Sequence, residues 1–277
     1  MSATTGRLTD EVVVAIGCGT PDGQTNNGLA AARAFLAEGA RVCLVDRLPQ
    51  ALEEARRVLL EEDPQAADRL TEAVADVVDD EQLAAAIDAA AALFGPPTVL
   101  HYNVGIVVNG GVEELEVDAF RRALDINLTG AFAAMKHVVP HMRAAGRGSI
   151  ITVASTGGMR WMGYDYPAYA ASKAALIELT NSVGLRYARD GIRANSISPG
   201  LIETPLIRTS ITGHYGSVEE MLAARHAASP TGRMGQPEDV GAAAVFLASQ
   251  ESRYINATCV PVDGGLIHTT SVAAAQH

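Results

Sequence analysis

Short runs of apolar residues alternate with longer amphipathic stretches along nearly the whole chain. Val12-Val13-Val14-Ala15-Ile16 is apolar at every position, and Arg41-Val42-Cys43-Leu44-Val45 nearly so. Runs of this length without polar alternation predict strands covered on both faces. The same reasoning predicts strands at Thr71 to Val77, Thr98 to Tyr102, Ser149 to Ala154, Ile192 to Ile197 and Thr258 to Val262. Between them, helical patterns run over Gly28 to Glu38, Pro49 to Glu62, Glu81 to Phe94, Val117 to Arg143, Pro167 to about Gly191, and Pro237 to Ser249. Strands alternating with helices predict an α/β fold: one doubly wound, parallel seven-stranded sheet with helices on both faces. The domain spans residues 1–277, with a polar N-terminal tail over 1–10, a loop-rich segment over about 201–232 and a C-terminal tail over 268–277.

Composition narrows the function. A chain of 277 residues suits one large α/β domain and is short for two. Asp and Glu number 32 against 21 Lys and Arg, a net charge of −11. That balance argues against nucleic acid, which needs basic surface, and against anionic membranes. Cys18, Cys43 and Cys259 are widely spaced without a metal-ligand pattern, and read as small buried residues in a reducing compartment. Met1 to Asp10 has no apolar core of a signal peptide, and no apolar run is long enough to cross a bilayer. A cytoplasmic location is therefore expected, with no metal, nucleic acid or membrane partner.

The candidate chemistry lies between Ser155 and Lys173. The strand at Ser149 delivers Ser155 at its end, and the helix beginning near Pro167 carries Tyr169 and Lys173 four residues apart, on one face. A hydroxyl, a phenol and an ammonium then meet. The trio suits proton transfer to or from an alcohol or carbonyl oxygen. Free tyrosine, with a pKa of about 10, is a poor base at neutral pH, and a nearby cation favours its phenolate. A lone Tyr-x-x-x-Lys is common by chance; the serine at the strand end is what gives it weight.

With these residues in place the chain resembles the short-chain dehydrogenase/reductase family over roughly Glu11 to Leu266. The resemblance implies a Rossmann fold and a catalytic set of Asn127, Ser155, Tyr169 and Lys173, with Thr156 the less favoured serine equivalent. Asn127 sits in Asp125-Ile126-Asn127-Leu128-Thr129-Gly130, where helix-interior asparagine is unfavourable by propensity. In the family it bends the helix and holds a water against the lysine. The resemblance further implies a homotetramer, a small-molecule alcohol or ketone as substrate, and a substrate lid over about 201–232. The lid holds Arg208, His214, Tyr215 and Met221. Gly232 to Val240 and Val262 to Gly265 match family segments with structural roles.

The cofactor segments follow in chain order. The first strand-to-helix turn, Gly17-Cys18-Gly19-Thr20-Pro21-Asp22-Gly23-Gln24-Thr25-Asn26-Asn27-Gly28, has the glycine a pyrophosphate cradle needs. It is longer than the family's Gly-x-x-x-Gly-x-Gly, with Asn26 in place of the middle glycine, and resembles the loop of enoyl reductases. Gly17, Asn27 and Gly28 are its expected contacts. Asp46 ends the second strand, where a carboxylate accepts both ribose hydroxyls of NAD and repels the extra phosphate of NADP; Arg47 stands beside it. NAD is therefore the expected cofactor. Asp76 and Val77 resemble the adenine-binding pair. Asn103 and Gly105 match the family's Asn-Asn-Ala-Gly, whereas Tyr102 and Val104 depart from it. Pro199, Gly200, Ile202 and Thr204 fall in the segment that cradles the nicotinamide.

The expected reaction is NAD(H)-dependent interconversion of a secondary alcohol and a ketone. Two other readings stay open: an NADPH-dependent 3-oxoacyl reductase, and a dinucleotide sensor without turnover. Arg160, Trp161 and Tyr164 lie between the serine and the tyrosine. Their flat apolar area predicts a cyclic or aromatic substrate, with Arg160 available to a carboxylate.

Overall fold

A computed structural model describes residues 6–205, 207 and 215–269. Seven parallel strands form one sheet in the order β3-β2-β1-β4-β5-β6-β7. They are β1 (Val12–Ile16), β2 (Arg41–Asp46), β3 (Leu70–Val74), β4 (Val99–Tyr102), β5 (Gly148–Val153), β6 (Ile192–Pro199) and β7 (Cys259–Val262). The expected Thr71 strand begins one residue earlier and ends at Val74. It is an edge strand, paired with β2 alone, and it is only partly buried.

Two cores explain the continuous apolar strands. On one face lie α1 (Asn27–Ala37), α2 (Pro49–Glu62) and a later helix, Pro237–Ala248. They bury Phe35, Leu36, Leu52, Val240 and Ala244 against Val13, Ala15, Val42 and Leu44. The other face is covered by α3 (Asp80–Phe94) and two further helices, and buries Ile87, Met135, Met142 and Leu176 against Val14, Ile16, Leu100 and Ile150. β1 contributes alternate side chains to both cores, as a doubly covered strand must.

The predicted tail over 1–10 is not a free tail in its described part. Leu8 is fully buried in the first core, and its N–H donates to the Glu38 carbonyl at 2.9 Å. One leucine in a polar run is enough to anchor the segment beneath α1.

The single helix expected over Val117 to Arg143 is instead α4 (Val117–Leu124), a π-helical turn at Asp125–Thr129, and α5 (Gly130–Ala145). π-bulges occur where a side chain competes with the helical ladder, often at functional sites. Asn127 and Tyr102 account for this one. The Tyr102 hydroxyl donates to the Ile126 carbonyl at 2.7 Å. Gly130 makes room for that ring: a Cβ there would stand 2.6 Å from the Tyr102 oxygen. Tyr102, a departure from the family pattern, is thus accommodated within the same turn.

The chain continues through α6 (Pro167–Tyr187), β6, α7 (Val218–Ala228) and α8 (Pro237–Ala248). Of the expected lid residues, Tyr215 and Met221 are described, and Arg208 and His214 lie outside the described residues. Among the described residues no helix is long and apolar enough to cross a membrane.

Candidate active site

The C-terminal ends of the parallel strands open onto a cavity of about 530 Å³. Such crevices, at the point where strand order reverses between β1 and β4, are where doubly wound sheets bind ligands.

Ser155 follows β5 and opens a one-turn 3-10 helix, Thr156–Gly158. Its extended backbone and its Oγ, which accepts from Gly157 N at 3.1 Å, hold it at the cavity. Pro167 starts α6, a favoured first helical position, and sets Tyr169 in the first turn. Lys173 is one turn on. It is buried, and its Nζ donates to the carbonyls of Val153 at 2.9 Å and Val104 at 3.3 Å, standing 5.8 Å from the Tyr169 ring centre. Gly105 leaves the space this ammonium occupies, since a Cβ there would stand 2.9 Å from Nζ.

The electrostatics refine the expectation for the phenol. Burial raises the Tyr169 pKa, and a hydrogen bond with Ser155 pulls it back. Burial also lowers Lys173 to about 8. The Ser155 hydrogen bond eases the phenolate, and two of the three ammonium donors of Lys173 are engaged by backbone carbonyls.

Asn127 is fully buried and does not line the cavity. Its Nδ2 donates to the Ile106 carbonyl at 3.0 Å and to Ser172 Oγ at 2.9 Å, and its Oδ1 accepts from Ile106 N at 2.8 Å. The side chain ties the β4 loop and α6 to the π-turn. That makes it a positioning residue for Lys173.

The other half of the cavity fits a dinucleotide. α1 begins at Asn27, capped by Asn26, whose side chain accepts from Leu29 N at 2.9 Å and donates to the Gly19 carbonyl at 2.9 Å. Asn26 therefore does the capping that a middle glycine cannot. The extra loop residues fold away from the cavity: Thr20 is buried, its N–H donates to the Ala51 carbonyl of α2 and its Oγ1 to the Gln24 carbonyl. Gly17, at φ +85°, Asn26 and Asn27 line the cavity, and the Asn27 Oδ1 is buried with no partner among the described residues. A helix N-terminus with an orphaned polar atom beside it suits a pyrophosphate and its ribose. Gly28, expected to contact cofactor, does not line the cavity. A Cβ there would fall 2.1 Å from the Gly17 carbonyl oxygen, so it is a packing glycine that lets α1 meet β1.

Asp46 lines the far end, its oxygens accepting from Gly19 N at 3.0 Å and Leu48 N at 3.2 Å. A carboxylate has about four acceptor positions, which leaves capacity for two hydroxyls. Asp76, Val77, Asn103, Gly105, Pro199, Gly200, Ile202 and Thr204 line the same cavity. Gly200 is held close to Asp263, with its N–H on the Val262 carbonyl.

The substrate expectations divide. Tyr164 lines the cavity; Arg160 and Trp161 do not. Arg160 donates to the carbonyls of Leu266, Ile267 and Thr269 and so locks the C-terminal 3-10 turn. Trp161 is 63% exposed. In this non-helical stretch, Met162, Tyr164 and Tyr166 face the cavity, and Trp161 and Asp165 face outward. The period of two was readable in the sequence and went unused. Sequence reasoning also missed Arg225 of α7. It is 4% exposed, lines the cavity, and donates through Nη1 to the Tyr164 hydroxyl at 3.3 Å. No local motif marks it.

A crevice lined by a serine, a phenol and an ammonium, with a helix N-terminus and a carboxylate in the same lining, suits an oxidoreductase site of the nicotinamide type. The sequence profile described as Enoyl-(Acyl carrier protein) reductase matches residues 25–267. Levodione reductase of Leifsonia aquatica is 34% identical over 95% of this chain and 97% of that protein. Cis-4-hydroxycyclohexanecarboxylate dehydrogenase of Sinomonas cyclohexanicum is 37% identical over 86% of this chain and 91% of that protein. The crystal structure of a short-chain dehydrogenase/reductase from Burkholderia xenovorans superposes with a TM-score of 0.90, at 35% identity over 96% of this chain and all of that one. The chain belongs to the short-chain dehydrogenase/reductase family. It is an oxidoreductase of the CH–OH group, in a family that uses nicotinamide dinucleotides.

Proposed function

We propose that the protein interconverts a secondary alcohol on a cyclic skeleton and the matching ketone, with NAD(H) as the cofactor. The carrying observation is the convergence of Ser155, Tyr169 and Lys173 on one cavity whose far end is lined by Asp46.

Tyr169 takes the proton of the substrate hydroxyl in oxidation and returns it in reduction. Ser155 hydrogen-bonds the same oxygen and eases ionisation of the phenol. Lys173, with its pKa near 8, is mostly cationic at neutral pH and faces the ribose side of the crevice. Asn127 fixes the loop and helix that hold it. When bound, the nicotinamide supplies the acceptor or donor of the hydride at the carbinol carbon. Asp46 favours NAD, because a carboxylate facing a second phosphate is repelled.

The ring preference rests on Met162, Tyr164, Tyr166 and Ile207, flat or apolar groups around the reacting centre. The name of the Sinomonas relative, a dehydrogenase of a hydroxylated cyclohexane ring, points the same way. An assembly of copies is part of the proposal: Phe132 of α5 and Leu185 of α6 are exposed and apolar, surfaces that a second copy would cover.

The test is a screen of cyclic and short linear secondary alcohols with NAD and NADP, following formation of the reduced cofactor by absorbance. Turnover of ring alcohols with NAD is expected. Preference for linear alcohols would remove the ring assignment, and preference for NADP would remove Asp46 from its role.

A further inference from the structure

The cavity wall facing the catalytic trio carries a charge that the reaction does not need. Arg225 is buried to 4% exposure in α7. Its Nη1 donates to the Tyr164 hydroxyl, and among the described residues its Nε has no partner at all. Guanidinium does not lose its proton in proteins, so burial leaves the charge in place. A buried cation is normally matched by an anion, and leaving one unmatched is strongly unfavourable. The ion pairs among the described residues use other arginines, such as Arg33 with Glu62 and Glu238, or Arg147 with the buried Glu11. None of them involves Arg225. In a chain of net charge −11, a buried arginine with no acid among the described residues is therefore a specific feature.

Its surroundings say what would complete it. Three phenols lie near it: Tyr164, to which it donates, and Tyr166 and Tyr215, which feel its charge. Tyr164 and Tyr215 share a hydroxyl contact at 3.1 Å. The Arg225 charge acts on both Tyr166 and Tyr215, opposing the rise that burial imposes on them. Phenols soften a cation without neutralising it. From Arg225 the path to the reacting phenol runs through Tyr164, which stacks on Tyr166 at 5.7 Å, and Tyr166, which meets Tyr169 edge-on at 5.4 Å. The cation and the base stand at separate ends of one aromatic wall.

We propose that the substrate is a hydroxy acid whose carboxylate is held by Arg225, with the acid placed across the ring from the carbinol carbon rather than beside it. This rests on the reading of the site as a secondary-alcohol dehydrogenase, and it names the substrate class. Arg225 is the specificity-determining residue, and Tyr164 holds its guanidinium in line. The carboxylate thereby supplies the counter-charge that the described residues withhold. It also anchors the ring so that its far carbon meets Ser155 and Tyr169.

Two measurements separate this proposal from the reading beneath it. The first compares kcat/KM with NAD for 4-hydroxycyclohexanecarboxylate and for its neutral analogue 4-methylcyclohexanol. Hydrogen bonds to a charged group predict a preference for the acid of roughly tenfold to a hundredfold in the wild type. That ratio should collapse in Arg225→Gln and be partly kept in Arg225→Lys. The second needs no turnover: calorimetric titration of the NAD-bound protein with cyclohexanecarboxylate and with cyclohexanecarboxamide. The acid should bind the wild type at least about tenfold more tightly than the amide, and Arg225→Gln should bind the two alike. If neither alcohol is oxidised, the dehydrogenase reading falls and the calorimetry still decides the anion site. Equal binding of acid and amide by the wild type overturns the proposal, as does an acid-to-neutral ratio unchanged in Arg225→Gln. The wild-type comparison stands even if that variant does not fold.

Discussion

The two walls of the cavity solve the burial of polar groups in opposite ways. On the sheet side, the Lys173 ammonium is engaged by Val104 and Val153, and behind the cavity lining the amide of Asn127 is engaged by Ile106 and Ser172. On the α7 side, the Arg225 guanidinium keeps one phenol hydroxyl and an unpartnered Nε. The satisfied wall is complete without substrate and can serve any alcohol, whereas the unsatisfied wall is completed only by what it binds. Another buried orphan sharpens the contrast. Among the described residues both ring nitrogens of His101, deep in β4 against Phe35, lack partners, yet burial lowers its pKa to about 4 and it rests neutral. Histidine can shed its charge and stay unpartnered in a core; arginine cannot. The orphaned histidine is a stability feature, and the orphaned arginine is a binding one.

The largest effect should come from the satisfied wall. Tyr169→Phe is expected to lower kcat by between about 10² and 10⁴-fold, the usual contribution of a positioned acid or base. NAD affinity, measured by fluorescence titration, should stay close to wild type. Substantial activity in that variant would take the proton-transfer role from this phenol.

Next in size is the His101 contrast. Its folded pKa of about 4 lies below the ordinary 6.5, so the unfolded chain binds the extra proton first as pH falls. Stability should be flat above about pH 6.5 in this respect and decline by roughly 3 kcal/mol as pH falls to about 4. Urea unfolding at several pH values, in wild type and His101→Leu, measures it. The variant should lose that part of the acid decline. An identical decline in both proteins would show that other groups carry it.

Smaller effects are expected at the ends of the cavity. Asp46→Ala should shift the NAD-to-NADP ratio of kcat/KM toward NADP by roughly tenfold. Tyr164→Phe removes one hydroxyl from Arg225 and from Tyr215, and should weaken binding of cyclohexanecarboxylate by only about a fewfold, because that hydroxyl aligns the guanidinium and does not itself meet the carboxylate. A larger loss there than in Arg225→Gln would reverse the order of importance argued for the α7 wall.

Sequence legibility follows the same division. The sheet, its covered strands and the trio at Ser155, Tyr169 and Lys173 are local patterns: burial on both faces makes runs of Val and Ile, and one helical turn brings a phenol and an ammonium together. The break in the long helix was signalled by Asn127, but not its form, because the π-turn depends on Tyr102 and Gly130 reaching across from another element. The glycine turn was legible as a cradle and misleading in detail: Gly28 faces the Gly17 carbonyl, and Asn26 replaces a glycine by capping. Arg160 and Trp161 were drawn to the site by proximity in sequence. The alternation through Met162, Tyr164 and Tyr166 decided otherwise, since it turns those three to the cavity and Trp161 outward. Arg225 was invisible because its meaning lies in what is absent around it, and only the packed structure shows that.

The central claim, that this cavity transfers a hydride between the carbinol carbon of a ring alcohol and NAD, has one direct test. The purified protein is incubated with NAD and a cyclic secondary alcohol deuterated at that carbon, and the nicotinamide and the organic product are analysed by mass spectrometry and NMR. The account predicts deuterium on one face of the reduced nicotinamide, the matching ketone in equal amount, and neither product with Tyr169→Phe. Ketone without deuterium in the nicotinamide, or no reduced NAD from any cyclic secondary alcohol tested, would contradict it.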